Sequence, residues 1–321
     1  MFDASRPLCS TFALASLAAC SAAAAPPPTE PAAGRHDLEL PVVMTEHRWF
    51  LQTTTASGAP IQIFLDSAGG MYLTPDAVAR LQLVRRDIRE DDGKPVPGVA
   101  FPALAVPGVP VPETMPVSSQ SLVGDGDGMF GAPWFAPHTF TFDYPRRKLT
   151  LRTPGDLPRV PAAHTARVSF QDEGNGRHAP YGRIQMIVEG EPIEMLFDTG
   201  ATVQLTETAV RALGGSSTLR ATSFIADGVF QAWRKAHPAW RVIEAAGRVR
   251  DKAVPMIEVP RVTVGGYEVG PVWFTWRSDK EFHDGMAQWM DRPVEGALGG
   301  SAFFDLRITV DWDHGVAAFE R

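Results

Sequence analysis

Two aspartates stand at the ends of short apolar runs, each followed by a hydroxyl residue. In residues 193–205, IEMLFDTGATVQL, the run ends on Asp198-Thr199-Gly200; in residues 61–73, IQIFLDSAGGMYL, it ends on Asp66-Ser67-Ala68. Two carboxylates held close can share one proton, because two like charges at contact cannot both ionise cheaply. One of such a pair can take a proton from water while the other protonates or hydrogen-bonds a carbonyl. An Asp at a strand end can equally be a turn residue that accepts backbone N–H bonds. The choice depends on whether the chain brings the two aspartates together.

The chain repeats itself around them. Asp198 follows Asp66 at an offset of 132 (198 − 66), and at the same offset Gly58 meets Gly190, Pro60 meets Pro192, Leu73 meets Leu205 and Thr74 meets Thr206. GMFGAPWFAPHTFTFDY (128–144) overlays GALGGSAFFDLRITVDW (296–312) at an offset of 168 (296 − 128), and FPALAVPGVPV (101–111) overlays VPRVTVGGYEV (259–269) between them. Three matches in the same order indicate an internal duplication. The second copy is the longer one between Leu213 and Pro260, and again before Gly296.

Each copy reads as strand, turn, strand, Asp loop, short helix, several strands, Gly loop and strand. Short β-rich apolar runs lie between closely spaced Gly and Pro. Thr74-Pro75 and Thr206-Glu207 have the form of a helix N-cap and first turn, and Gly214 of a stop. TFTFDY and RITVDW alternate as half-buried strands do.

On Asp198-Thr199-Gly200-Ala201 after an apolar strand, with Ala297-Leu298-Gly299 and Met129-Phe130-Gly131 downstream, the sequence resembles the aspartic peptidases. The spacing within each copy looks closer to the retroviral type, and the single-chain arrangement looks like pepsin. The resemblance covers nearly all of residues 40–321. It implies an all-β fold (mostly β with short helices), a bilobal acid-protease architecture of two retropepsin-like lobes. The expected division is an N-terminal lobe at 38–151, a Pro-rich linker at 152–166 and a C-terminal lobe at 167–321. It implies that Asp66 and Asp198 form the catalytic dyad of an aspartic-type endopeptidase. Ser67 and Thr199 would then brace the two loops, with Gly200, Gly131 and Gly299 supporting them. The implied partner is a peptide or protein substrate, with no cofactor, no metal and a monomeric state.

One position departs from the family. Ala68 stands where the family has Gly, and Gly69-Gly70 follow. If that backbone needs positive φ, Ala costs about 1 kcal/mol or more. A second function class follows from it: a peptide- or protein-binding envelope lipoprotein that kept the cleft and lost efficient chemistry. A structural envelope protein using the fold as scaffold is a third. The family's β-hairpin flap after the Asp loop corresponds to about 84–99 in the first copy, with a turn at Asp91-Asp92-Gly93, and to the longer 214–259 in the second. Trp233 and Trp240 lie in that longer segment and are placed near substrate, in a lid or partner-binding insertion.

Other motifs fail. Gly126 to Gly131 matches G-x-G-x-x-G, but Pro133 and Pro137 follow, so no helix is expected there to hold a pyrophosphate. Asp125-Gly126-Asp127-Gly128 hints at a calcium loop without the later Glu. The sequence has no H-E-x-x-H, no paired Cys for zinc and no G-x-S-x-G. A net charge of −7 argues against a nucleic-acid partner.

The N-terminus reads as a targeting segment. A short apolar stretch ends in Leu17-Ala18-Ala19-Cys20, which resembles the lipobox of bacterial lipoproteins. The stretch is too short to span a bilayer as a helix. The resemblance implies a signal peptide at 1–20, lipidation of Cys20, and an Ala/Pro-rich tether at 21–37. Ser21, not Asp, follows the Cys, which points to the outer membrane, with the protein facing the periplasm and reaching the membrane only through its lipid. Cys9 and Cys20 are the only cysteines, so a chain starting at Cys20 has no partner for a disulfide. Cys20→Ala is expected to shift the protein from the membrane fraction to the soluble periplasmic fraction, or to leave it unprocessed. Unchanged fractionation with a mature N-terminus elsewhere would count against lipidation.

Overall fold

The computed structural model describes residues 37–89, 94–118, 126–171, 180–249 and 252–321. Cys20, the leader and the tether up to residue 36 lie outside the described residues, as do the turn at Asp91-Asp92-Gly93 and Asp125. In the first copy, strand β1 (Pro60–Leu65) runs into the Asp66 loop. It is followed by β2 (Tyr72–Leu73), helix α1 (Pro75–Arg80), β3 (Gly128–Phe130), a one-turn helix α2 (Ala132–Phe135) and β4 (Thr139–Asp143). The second copy has β5 (Glu191–Phe197), β6 (Thr202–Leu205), α3 (Glu207–Leu213), β7 (Ser223–Ala226) and α4 (Asp227–Ala236). It continues with β8 (Val272–Arg277), β9 (Gly296–Leu298), α5 (Gly300–Phe303) and β10 (Arg307–Asp311). The fold is all-β with short helices, in two lobes.

Local chemistry accounts for the punctuation. Tight turns at Gly58 (φ 86°) and Gly190 (φ 88°) precede β1 and β5. Thr74 caps α1 by accepting from Ala77 N at 3.1 Å, and Thr206 caps α3 from Ala209 N at 3.2 Å. Each satisfies an N–H that the first helical turn leaves unpaired. Gly214, at φ 75°, ends α3. The absence of a helix after Gly131 does not hold. One turn, α2, forms there, because Pro133 falls in the first turn, where its missing N–H costs nothing.

The described strands form four sheets, of which a three-stranded one holds the hairpin Arg85–Arg89/Pro95–Ala100. β1, β3 and β2 join the hairpin Val42–Thr45/Arg48–Thr54 in a five-stranded sheet, and an eleven-stranded sheet contains β5 to β9. A six-stranded sheet takes strands from both copies, with β4 and β10 adjacent and antiparallel at its centre. Thr141 faces Thr309 there, their hydroxyls 2.8 Å apart across a sequence separation of 168. The repeat offset is therefore a contact distance, and the pseudo-twofold axis passes between these two threonines. The alternation of TFTFDY does not mean half exposure: all five residues of β4 are buried. The polar groups of these two strands find partners, Thr141 with Thr309 and Asp143 with Arg146 and Arg307. Both ends of the expected linker are themselves strand residues of this sheet: Arg152 ends the strand Lys148–Arg152, and Thr165 begins Thr165–Arg167. An aromatic core lies against it, in which Phe135 stacks on Trp312 at 5.2 Å and Phe197 meets Phe303 at 5.2 Å.

The surplus of the second copy is built into the sheet. The hairpin Val242–Val249/Lys252–Val259 corresponds to Arg85–Arg89/Pro95–Ala100 of the first copy, so the additional residues are those that form β7 and α4. In the first lobe β2 pairs antiparallel with β3, Tyr72 opposite Met129 and Leu73 opposite Gly128. In the second lobe that place is taken by β7, with Phe224 opposite Ala297 and Ile225 opposite Gly296. β7 also runs parallel to β8. The sequence counterpart of β2, the end of β6, pairs instead with Leu219–Ala221 and Val242–Val249. Trp233 and Trp240 accordingly do not line the cleft. α4 buries Phe230 and Trp233, and Trp233 packs on Phe274 of β8 at 5.2 Å with Trp240 at 6.0 Å. Phe230 and Trp233, three residues apart, form the apolar side of an amphipathic helix that covers the sheet. Trp233→Ala is expected to cost about 3–5 kcal/mol of stability, measured by urea denaturation followed by circular dichroism; a value near zero would restore the lid reading.

Candidate active site

β1 and β5 deliver their aspartates to the boundary between the lobes in matching ways. β1 runs parallel to β3, and β5 parallel to β9. Asp66 N donates to Phe130 O and Asp198 N to Leu298 O, both at 3.0 Å. Each carboxylate accepts from the amide two residues on: Ala68 N to Asp66 Oδ1 at 2.9 Å, Gly200 N to Asp198 Oδ1 at 3.0 Å.

The hydroxyls tie the loops to each other. Thr199 N donates to Ser67 Oγ at 2.9 Å, and Ser67 N donates to Thr199 Oγ1 at 3.1 Å, both across the repeat offset of 132. Ser67 Oγ in turn donates to Phe197 O at 2.8 Å. Both residues are fully buried. A small hydroxyl side chain suits this place because it can accept from the opposite amide within the space of a close loop contact.

Glycine is needed here for space, not for backbone twist. A Cβ on Gly200 would lie 2.2 Å from Asp66 Cγ. On Gly131 it would lie 2.0 Å from Gly69 O, and on Gly299 2.0 Å from Thr222 O. Neither Gly200 nor Ala68 has positive φ. The expectation of left-handed strain at Ala68 therefore does not hold. Its methyl packs against a small apolar cluster that includes Leu196, Phe282 and Met290.

The two carboxyl groups are hydrogen-bonded to each other. Burial pushes both above the usual carboxylate range. At Asp66 this is offset by the Ala68 N–H, by Asp198 and by the Gly69 N–H. At Asp198 the negative charge of Asp66 adds to burial and drives the group well up. The pair therefore shares one proton, with one carboxyl neutral and the other ionised.

The dyad forms the floor of an open cleft of about 580 Å³. Phe64, Met71, Tyr72 and Met129 line it from the first lobe, Thr202, Phe224 and Arg277 from the second. Tyr72 and Phe224 occupy matching strand positions on the two sides. Burial, and then the Asp66 charge, push the Tyr72 hydroxyl to about 12, so it stays a neutral donor. Sequence reasoning missed Tyr72, Phe224 and Arg277. Tyr72 was within reach, one residue before the matched Leu73, whereas Phe224 and Arg277 carried no signal.

No protein-family model matches the chain, and no curated protein matches it. Among solved structures it is similar to the aspartic proteinase from Irpex lacteus, with a TM-score of 0.51 at 8% sequence identity, over 88% of this chain and 96% of that one. At that identity the likeness is one of fold: the chain has the bilobal all-β fold of a pepsin-like aspartic proteinase.

The raised carboxyls have a consequence for stability. A group with a folded pKa above its unfolded value of about 4 leaves the folded state holding more protons between those two values. Stability from this source is fully present below about pH 4, falls as pH rises through the window, and levels off above the folded pKa. Asp198→Asn removes one of the two raised carboxyls and with it the shared proton. The melting temperature of the variant is expected to gain on wild type as pH rises from about 4 to neutrality; a difference independent of pH would contradict the shared-proton arrangement.

Proposed function

We propose that the chain is an aspartic-type endopeptidase that hydrolyses peptide bonds with water activated between Asp66 and Asp198. The observation that carries this reading is the hydrogen-bonded pair of buried carboxylates on the floor of an open cleft. A water between them would give a proton to Asp66 as its oxygen attacks the peptide carbonyl, while Asp198 gives its proton to the carbonyl oxygen. The resulting gem-diol would collapse as Asp66 returns its proton to the amide nitrogen, the C–N bond breaks, and Asp198 recovers a proton from a diol hydroxyl. Atoms and charge balance, and the dyad returns to its starting state.

A binding module without catalysis would need the Ala68 loop displaced. Instead, the Ala68 N–H holds Asp66 as the Gly200 N–H holds Asp198, which favours the enzyme. From the sequence alone, we extend the proposal to a monomer held to the periplasmic side of the outer membrane by a lipid on Cys20. Among the described residues no helix is long and apolar enough to cross a membrane.

A shared proton makes the two carboxylates one unit. Asp66→Asn and Asp198→Asn are each expected to lower kcat by about a thousand-fold or more, with the fold retained. Wild-type activity should fall as pH rises and the second proton leaves the pair. Ala68→Gly is expected to leave turnover nearly unchanged and to cost about 1 kcal/mol of stability from the lost methyl and the freer unfolded chain. Absence of cleavage by wild type and Ala68→Gly alike, across acid to neutral pH with diverse peptides, would overturn the assignment.

A further inference from the structure

Arg277 ends β8 and lines the same cleft as the dyad. Its guanidinium lies 3.9 Å from the ring centre of Phe224, the residue that β7 places on the second-lobe side. Nη1 donates to Trp276 O at 3.0 Å, and Nε lies 3.4 Å from Glu281 Oε2. An arginine has five N–H donors. Among the described residues, Nη2 makes no hydrogen bond. The Arg277 side chain is only 12% exposed, and Glu281, its one acidic partner among the described residues, is 47% exposed. A single-atom contact to a half-exposed carboxylate is a weak pair.

The group is thus a buried cation with few donors engaged. Burial pulls its pKa down to about 10, against the opposing pull of Glu281 and Asp198, and it stays charged at neutral pH. A cation stripped of water interacts more strongly with an incoming anion than an exposed one does. Its planar fork matches a carboxylate in two-point contact. Among the described residues, the other charged groups lining the cleft are the dyad carboxyls, and the chain carries −7 overall. Without Arg277 such a cleft would repel an acidic peptide, so a preference for one is diagnostic.

We infer that Arg277 receives a carboxylate of the bound peptide, making the second-lobe side of the cleft selective for acidic substrates. This rests on the peptidase reading, and the experiment separates the two. Binding is measured with full-length protein carrying Asp198→Asn, by fluorescence anisotropy of labelled octapeptides, so that cleavage plays no part. One set is C-terminally amidated and scans a single Asp, against Asn, through each position; a second compares free-acid with amidated termini. At one Asp position, or for the free terminus, binding is expected to be about ten-fold tighter than for the neutral counterpart. The first result assigns a side-chain carboxylate, the second a terminal one. Adding Arg277→Gln should abolish the difference, and Arg277→Lys should retain part of it. Glu281→Gln should enlarge it by removing the competing carboxylate, and it decides the matter if Arg277→Gln fails to fold. A preference absent in the parent protein, or unchanged in both Arg277→Gln and Glu281→Gln, overturns the inference. An equal shift of affinity for all peptides in Arg277→Gln assigns the residue to packing on Phe224 and also overturns it. Peptide binding with acid selectivity but no wild-type cleavage would uphold the inference and sink the peptidase reading, whereas no binding to any peptide would sink both.

Discussion

The structure depends on holding two buried carboxyl groups at contact. Left to themselves, two loops ending in aspartate would separate, since burial disfavours each charge and proximity disfavours the pair. The reciprocal bonds between Ser67 and Thr199 oppose that separation from directly beneath the dyad. Each uses the backbone amide of one loop and the hydroxyl of the other, so neither loop can shift without leaving a buried donor unpaired. The absence of a side chain on Gly200 then lets Asp66 lie against the opposite loop.

Duplication supplies the rest of the frame. The separations that relate the copies in sequence, 132 and 168, are also the separations of residues that touch across the axis. A twofold arrangement has this property wherever a residue meets its own counterpart. The six-stranded sheet closes the second such contact, at Thr141 and Thr309, where its two central strands are buried. Its threonines and Asp143 are stable there because each finds an internal partner.

The two lobes are not equal. In the second, β7 has replaced the strand that the duplication supplied, and α4 covers the sheet behind it. This replacement puts Phe224 opposite Tyr72 and gives the guanidinium of Arg277 an aromatic face. The first lobe keeps its hairpin in a separate three-stranded sheet, whereas the corresponding hairpin of the second is joined to the eleven-stranded one.

The duplication, the Asp loops, the helix caps at Thr74 and Thr206 and the turn glycines were all legible in the sequence. Each is a local pattern of residue type and spacing, and local backbone chemistry suffices to produce it. The close contacts were not. That Gly200 is required by the Asp66 side chain, and that Ala68 is tolerated beside it, depends on atoms brought together from 132 residues away. The same holds for Trp233, whose amphipathic helix specified burial but not which surface it would cover. Tertiary structure alone decided which strand stands beside β9, because β6 and β7 compete for one set of backbone partners and the winner is set by how the whole lobe packs.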